Sequence, residues 1–149
     1  MFKHILVPTD GSPLSLKAAR TAVALAKVHG AKVTAIHVMA PYVPPTTGDG
    51  IMYYPESFSP QEYKKAVEKE AQKALDKVKA EADAAKVPFD SVAVTHDQPW
   101  ESIVDTAKKA KCDVVVMASH GRRGIAGLLL GSETTKVLTH SRTPVLVCR

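Results

Sequence analysis

Two short stretches of this sequence concentrate residue types that hold anions. One is Ser119-His120-Gly121-Arg122-Arg123-Gly124 with Gly131-Ser132 following it, and the other is Pro8-Thr9-Asp10-Gly11-Ser12. A glycine turn lets backbone N–H groups converge on a phosphate with no Cβ in the way, and a helix opening at Ser132 adds free N–H donors and a partial positive charge. Ser132 also supplies a hydroxyl. Asp10 could accept a hydrogen bond from a base or a ribose, or face a metal held by phosphates. The spacing excludes the two commonest nucleotide fingerprints. There is no GxxxxGK[ST], and Gly121, Gly124 and Gly127 recur at intervals of three rather than as GxGxxG.

The other candidate groups point away from catalysis. His120 could touch a phosphate or shuttle a proton, but with no carboxylate partner evident its expected role is positioning. Arg122 and Arg123 could pair with phosphates or simply be solvated. His37 sits within an apolar strand and is expected to pack in the core. His4, His29, His96 and His140 show no metal-ligand spacing. Thr9, Ser12 and Ser119 lack an evident base, so no nucleophile is assigned. Cys112 and Cys148 form neither CxxC nor a Cys/His pattern and read as free, buried thiols.

Short β-branched runs alternate with longer helical patterns, which is the signature of a parallel sheet with crossover helices. Strands are expected at His4 to Pro8, Lys32 to Val38, Ser91 to Thr95, Asp113 to Ala118 and Pro144 to Cys148. The last two are nearly continuous apolar runs of the kind buried on both faces. Ser12-Pro13 starts the first helix as N-cap and first-turn proline, Leu14, Ala18, Ala22, Leu25 and Ala26 form its stripe, and Gly30 stops it. A second helix spans roughly Gln61 to Lys86, with Tyr63, Val67, Ala71, Ala74, Val78, Ala82 and Ala85 on one face. A third begins near Pro99-Trp100, where Trp100 is expected to cap the sheet edge, and a fourth runs from Ser132 to His140.

Each helix lies between two strands, so the expected fold class is α/β. Right-handed crossovers make it a single doubly wound, Rossmann-like domain over residues 1–149, with a five-stranded parallel sheet of order 3-2-1-4-5 and four helices on its two faces. Ligands in such sheets bind beyond the carboxyl ends of the strands, which is where both anion-holding stretches fall. The segment from Ala40 to Ser59, with four prolines and two glycines, is too long for an ordinary connection and reads as a functional or disordered loop.

Bulk properties narrow the class further. The 149 residues suffice for one core without staples, and 45% hydrophobic with 23% charged residues is the balance of a globular protein. No apolar run is long enough to span a bilayer, and the first residues show no export signal, so a cytoplasmic location is expected. The net charge of +5 could favour anionic partners, but the lysines are spread along helices and no aromatic-basic platform accompanies them, so nucleic acid is not the expected partner.

The run from Met117 to Val147, MASHGRRGIAGLLLGSETTKVLTHSRTPVLV, resembles the universal stress proteins, specifically their ATP-binding branch. The family pattern is G-x2-G-x9-G followed by serine or threonine. Gly121, the nine-residue spacer Arg122 to Leu130, Gly131 and Ser132 match it, while Ala118 replaces the first glycine. Ala118 continues an apolar strand, so an extended conformation and a tolerated change are expected. The resemblance implies Pro8, Thr9 and Asp10 along an adenosine, Val38 offering backbone atoms to the base, and a cradle of Met117, Ala118, Ser119, His120, Gly121, Arg122, Gly131, Ser132 and Glu133. It also implies ATP, ADP or AMP with Mg²⁺ as cofactor, and a homodimer through the C-terminal strand. The expected function is a nucleotide-binding regulator of a stress response that acts on a further protein partner. The alternatives are a slow ATPase or phosphotransferase and a dimeric interaction module independent of nucleotide.

Overall fold

The computed structural model describes residues 1–44, 59–121 and 130–149. Most of the Ala40 to Ser59 connection, the Leu128-Leu129 pair and Arg122 to Gly127 lie outside the described residues. Five strands, β1 (His4–Pro8), β2 (Lys32–Met39), β3 (Phe89–Thr95), β4 (Val114–Ala118) and β5 (Val145–Cys148), alternate with α1 (Pro13–His29), α2 (Pro60–Ala85), α3 (Pro99–Lys109) and α4 (Ser132–His140). All neighbours pair in parallel in the order β3-β2-β1-β4-β5. The chain therefore reverses direction across the sheet between β1 and β4.

Local chemistry sets the helix ends. The Ser12 hydroxyl accepts the Ser15 N–H and Pro13 opens the first turn of α1, while Gly30, at φ 64°, closes it by donating to Ala26 O. In α2 the Ser59 hydroxyl caps the helix, accepting from Glu62 N–H and donating to the Glu62 carboxylate. Its C-cap is Lys86 at φ 57°, a left-handed position usually given to glycine.

The pleat divides the core into two layers. Ile5, Val7, Val33, Ala35, Val114 and Val116 face α1 and α2, against Ala22, Val23, Ala26, Leu75 and Val78. Leu6, Ile36, Val115 and Met117 face Ile103, Ala107 and Val137 of α3 and α4. Period-two alternation thus places helices on both faces. Complete burial of side chains such as Ile5, Leu6, Val115 and Val116 stabilises the sheet by about 1.5–3 kcal/mol each.

One expectation changes. The run in β5 is not buried on both faces: among the described residues β5 is an edge strand paired only with β4, and Leu146 is 41% exposed. Trp100 packs against the core layer that includes Leu6, Ile36 and Val115, and its ring also meets His140 with centroids 4.4 Å apart. An apolar run specifies burial only where a second neighbour exists, and the strand order denies β5 one.

Candidate functional site

A cavity of about 220 Å³ opens at the carboxyl ends of β1, β2 and β4, where the crossovers diverge. From β1 it receives Pro8, Thr9 and Asp10. The Thr9 N–H extends the ladder to Ile36 O at 2.9 Å, and Thr9 O accepts the His37 Nδ1–H at 2.8 Å. Asp10 Oδ1 accepts the Ser12 N–H at 3.0 Å, a local turn that holds the carboxylate at the start of α1. β2 contributes Ile36, His37 and Val38 to the wall.

From β4 come Met117 and Ala118, then His120 and Gly121. Ala118 is extended and pairs with Cys148, as expected for a strand residue, and its carbonyl accepts the Thr134 hydroxyl at 3.0 Å. Beyond it, Ser119 N–H donates to Cys148 O and Ser119 O accepts Gly131 N–H, both at 2.7 Å. Those bonds pin the two described ends of the β4–α4 connection against each other. Ser119 Oγ and His120 Nδ1 share a hydrogen bond at 3.2 Å.

Both glycines answer a steric demand. A Cβ on Gly121 would stand 2.7 Å from Asp10 Oδ2, and one on Gly131 would stand 3.1 Å from His120 Cα. Asp10 and Gly121, over a hundred positions apart in sequence, are therefore packed face to face. Gly131 is the N-cap of α4 and makes no side-chain cap, so the first N–H groups of that helix are left open to an incoming acceptor.

Nine expected residues line one cavity: Pro8, Thr9, Asp10, Val38, Met117, Ala118, His120, Gly121 and Glu133. Three lie beside it. Ser119 is buried behind the wall, Gly131 supports His120 from behind, and Ser132 is exposed at the helix start. Arg122 lies outside the described residues. Glu133 has a structural duty that its position in the motif did not suggest. Its Oε2 accepts the Trp100 N–H at 2.9 Å, capping α3, whose own N-cap Gln98 makes no side-chain cap, and its Oε1 meets Lys136 Nζ at 3.3 Å.

The wall also holds residues the motif reading did not include. His37 is buried as expected, yet its ring borders the cavity as well as locking Thr9, and Ser15, Pro99, Ile103 and Thr134 complete the lining. Ile103 lies on the buried face of α3 together with Ala107. The perturbed titrating groups belong to the frame at the opposite end of the sheet. Asp113 is held below its ordinary value by N–H donation from Lys3 and then His4, and burial first, the nearby Asp113 charge second, lifts the Cys112 thiol to about 11. Cys112 and Cys148 are both free.

A doubly wound sheet with a glycine-rimmed cavity at its point of reversal, flanked by a helix start without a side-chain cap, defines a Rossmann-like α/β fold with its candidate site at the strand ends. The chain belongs to the Universal stress protein family, whose profile it matches over residues 1–149. It is 36% identical to the universal stress protein MJ0531 of Methanocaldococcus jannaschii over 149 residues, which is 100% of this chain and 83% of that protein. Its fold superposes on the structure of MJ0577, another universal stress protein of that organism, with a TM-score of 0.80 at 29% identity, covering 99% of this chain and 96% of that one. A universal stress protein solved in complex with cAMP is 26% identical, with a TM-score of 0.66 and coverage of 98% and 95% respectively.

Proposed function

We propose that residues 1–149 form one nucleotide-binding domain that binds ATP, or ADP or AMP, and acts as a regulator in a stress response through a protein partner. The observation that carries this reading is the convergence of Pro8-Thr9-Asp10, Val38, Met117-Ala118 and His120-Gly121 on one cavity beside the open start of α4. The cAMP complex of a related protein supports an adenine nucleotide as the ligand class. Apolar Ile36, Val38, Ile103 and Met117 suit the face of a base, Asp10 a ribose or base donor, and the N–H groups at Ser132 and Glu133 a phosphate. Mg²⁺ would be held chiefly by the phosphates with Asp10 as the facing carboxylate, neutralising charge there. The described residues contain no cluster of three metal-ligating side chains.

The same reading includes a homodimer through β5, whose outer edge pairs with no strand among the described residues and which carries exposed Leu146. It also includes a cytoplasmic location. No helix among the described residues is long and apolar enough to cross a membrane. Titration calorimetry with Mg-ATP and with AMP tests the ligand, and Gly121→Val should weaken both strongly by driving Asp10 from its place. Equal, millimolar-weak binding by both proteins refutes the nucleotide reading, and a monomer in sedimentation at micromolar concentration refutes the dimer.

A further inference from the structure

A second concavity, of about 420 Å³, lies on the other side of the β1–α1 turn, between Gly11 and the exposed face of α2. Its described wall carries Lys69, Lys73 and Lys77, four residues apart, with Ala66 and Ala74 beside them. Four residues of helix rise about 6 Å, so the three ammonium groups form a row along about 12 Å of α2. Lys77 Nζ donates to Gly11 O at 2.9 Å, which fixes one cation at the inner end. Lys69 and Lys73 make no ion pair among the described residues. Glu70, a carboxylate on the same wall, is itself engaged.

We propose that this groove is a separate anion site for a short linear phosphate chain, distinct from the cavity at the sheet reversal. The size argues for a small ligand, because the volume falls within the range of small-molecule sites. The side chains argue for phosphate over carboxylate: lysine serves as a point-charge phosphate binder, whereas planar carboxylates are read best by the arginine fork, which the described wall does not contain. A row of cations one helical turn apart matches charges repeated along a chain. Gly11 separates the two sites, and Asp10 turns its carboxylate toward Gly121 on the cavity side, so one phosphate chain does not run through both.

The experiment is titration of the whole chain with inorganic triphosphate at low ionic strength. The comparison set is Lys69→Gln/Lys73→Gln, a surface control Lys27→Gln/Lys108→Gln, and Gly121→Val. The groove variant keeps Lys77 and its bond to Gly11, so the turn is preserved. The expected result is a loss of affinity of tenfold or more in the groove variant and less than threefold in the other two. Absent binding, equal losses in groove and control variants, or a loss confined to Gly121→Val each overturn the proposal. So does binding of hexaglutamate as tight as that of triphosphate. A chain that binds triphosphate in the groove but neither AMP nor ATP would refute the nucleotide reading and leave this one standing.

Discussion

Substituting alanine at each of the two described motif glycines should separate stability from ligand binding. At Gly131 the new methyl would lie 3.1 Å from His120 Cα, 3.2 Å from His120 Cβ and 3.4 Å from Ser119 O. These atoms are backbone or fixed directly to it, so no rotamer change relieves the contact. Gly131 has φ −74° and ψ 160°, which any residue adopts, and the cost is therefore steric rather than conformational. The connection must open against the 2.7 Å bond from Gly131 N–H to Ser119 O, and overpacking of this kind costs about 1–3 kcal/mol. At Gly121 the methyl would meet Asp10 Oδ2 at 2.7 Å, but the next atom, Cγ, stands at 3.7 Å. The end of that side chain can swing away, giving up its bond from Ser12 N–H, a bond to a charged group that contributes about 1.5–3 kcal/mol. The same swing withdraws the carboxylate from the cavity, so AMP should bind about two- to tenfold more weakly to Gly121→Ala. Urea unfolding followed by the fluorescence of the single tryptophan, Trp100, measures the first quantity, and calorimetry the second. Wild-type stability in Gly131→Ala would refute the steric reasoning, and unchanged AMP affinity in Gly121→Ala would refute the role of Asp10.

Two further outcomes follow from the frame. Because N–H donation from Lys3 and His4 lowers the folded-state pKa of Asp113 below its ordinary 3.8, the carboxylate contributes stability that is present above that value and lost as pH falls through the lowered one. Asp113→Asn should therefore unfold at lower urea than wild type near neutral pH, with the gap closing in acid, and a gap independent of pH would contradict this. Glu133→Ala should remove the cap on α3, costing about 0.5–2 kcal/mol, and shift the emission of Trp100, while Glu133→Gln retains most of both. Unchanged stability in Glu133→Ala would show that the cap is dispensable.

The chain's local patterns sufficed for its elements. Ser12-Pro13 and Gly30 bound α1 as read, and the β-branched runs marked every strand to within a residue or two, because caps and periodicity act over a few residues and are written where they act. Strand order followed from handedness and helix alternation, which are also short-range facts. The motif was legible too, since Pro8 to Asp10 and Met117 to Gly121 both end strands that any doubly wound sheet brings together.

Partnerships across the fold were decided by tertiary structure alone. Asp10 against Gly121, Glu133 capping α3 rather than only facing the cavity, His37 tying down Thr9, and the lysine row of α2 opposite Gly11 each join residues from separate elements. Sequence spacing states the type of a residue and the face it occupies. Which neighbour meets that face depends on how helices and strands pack over the whole sheet, which no local pattern encodes.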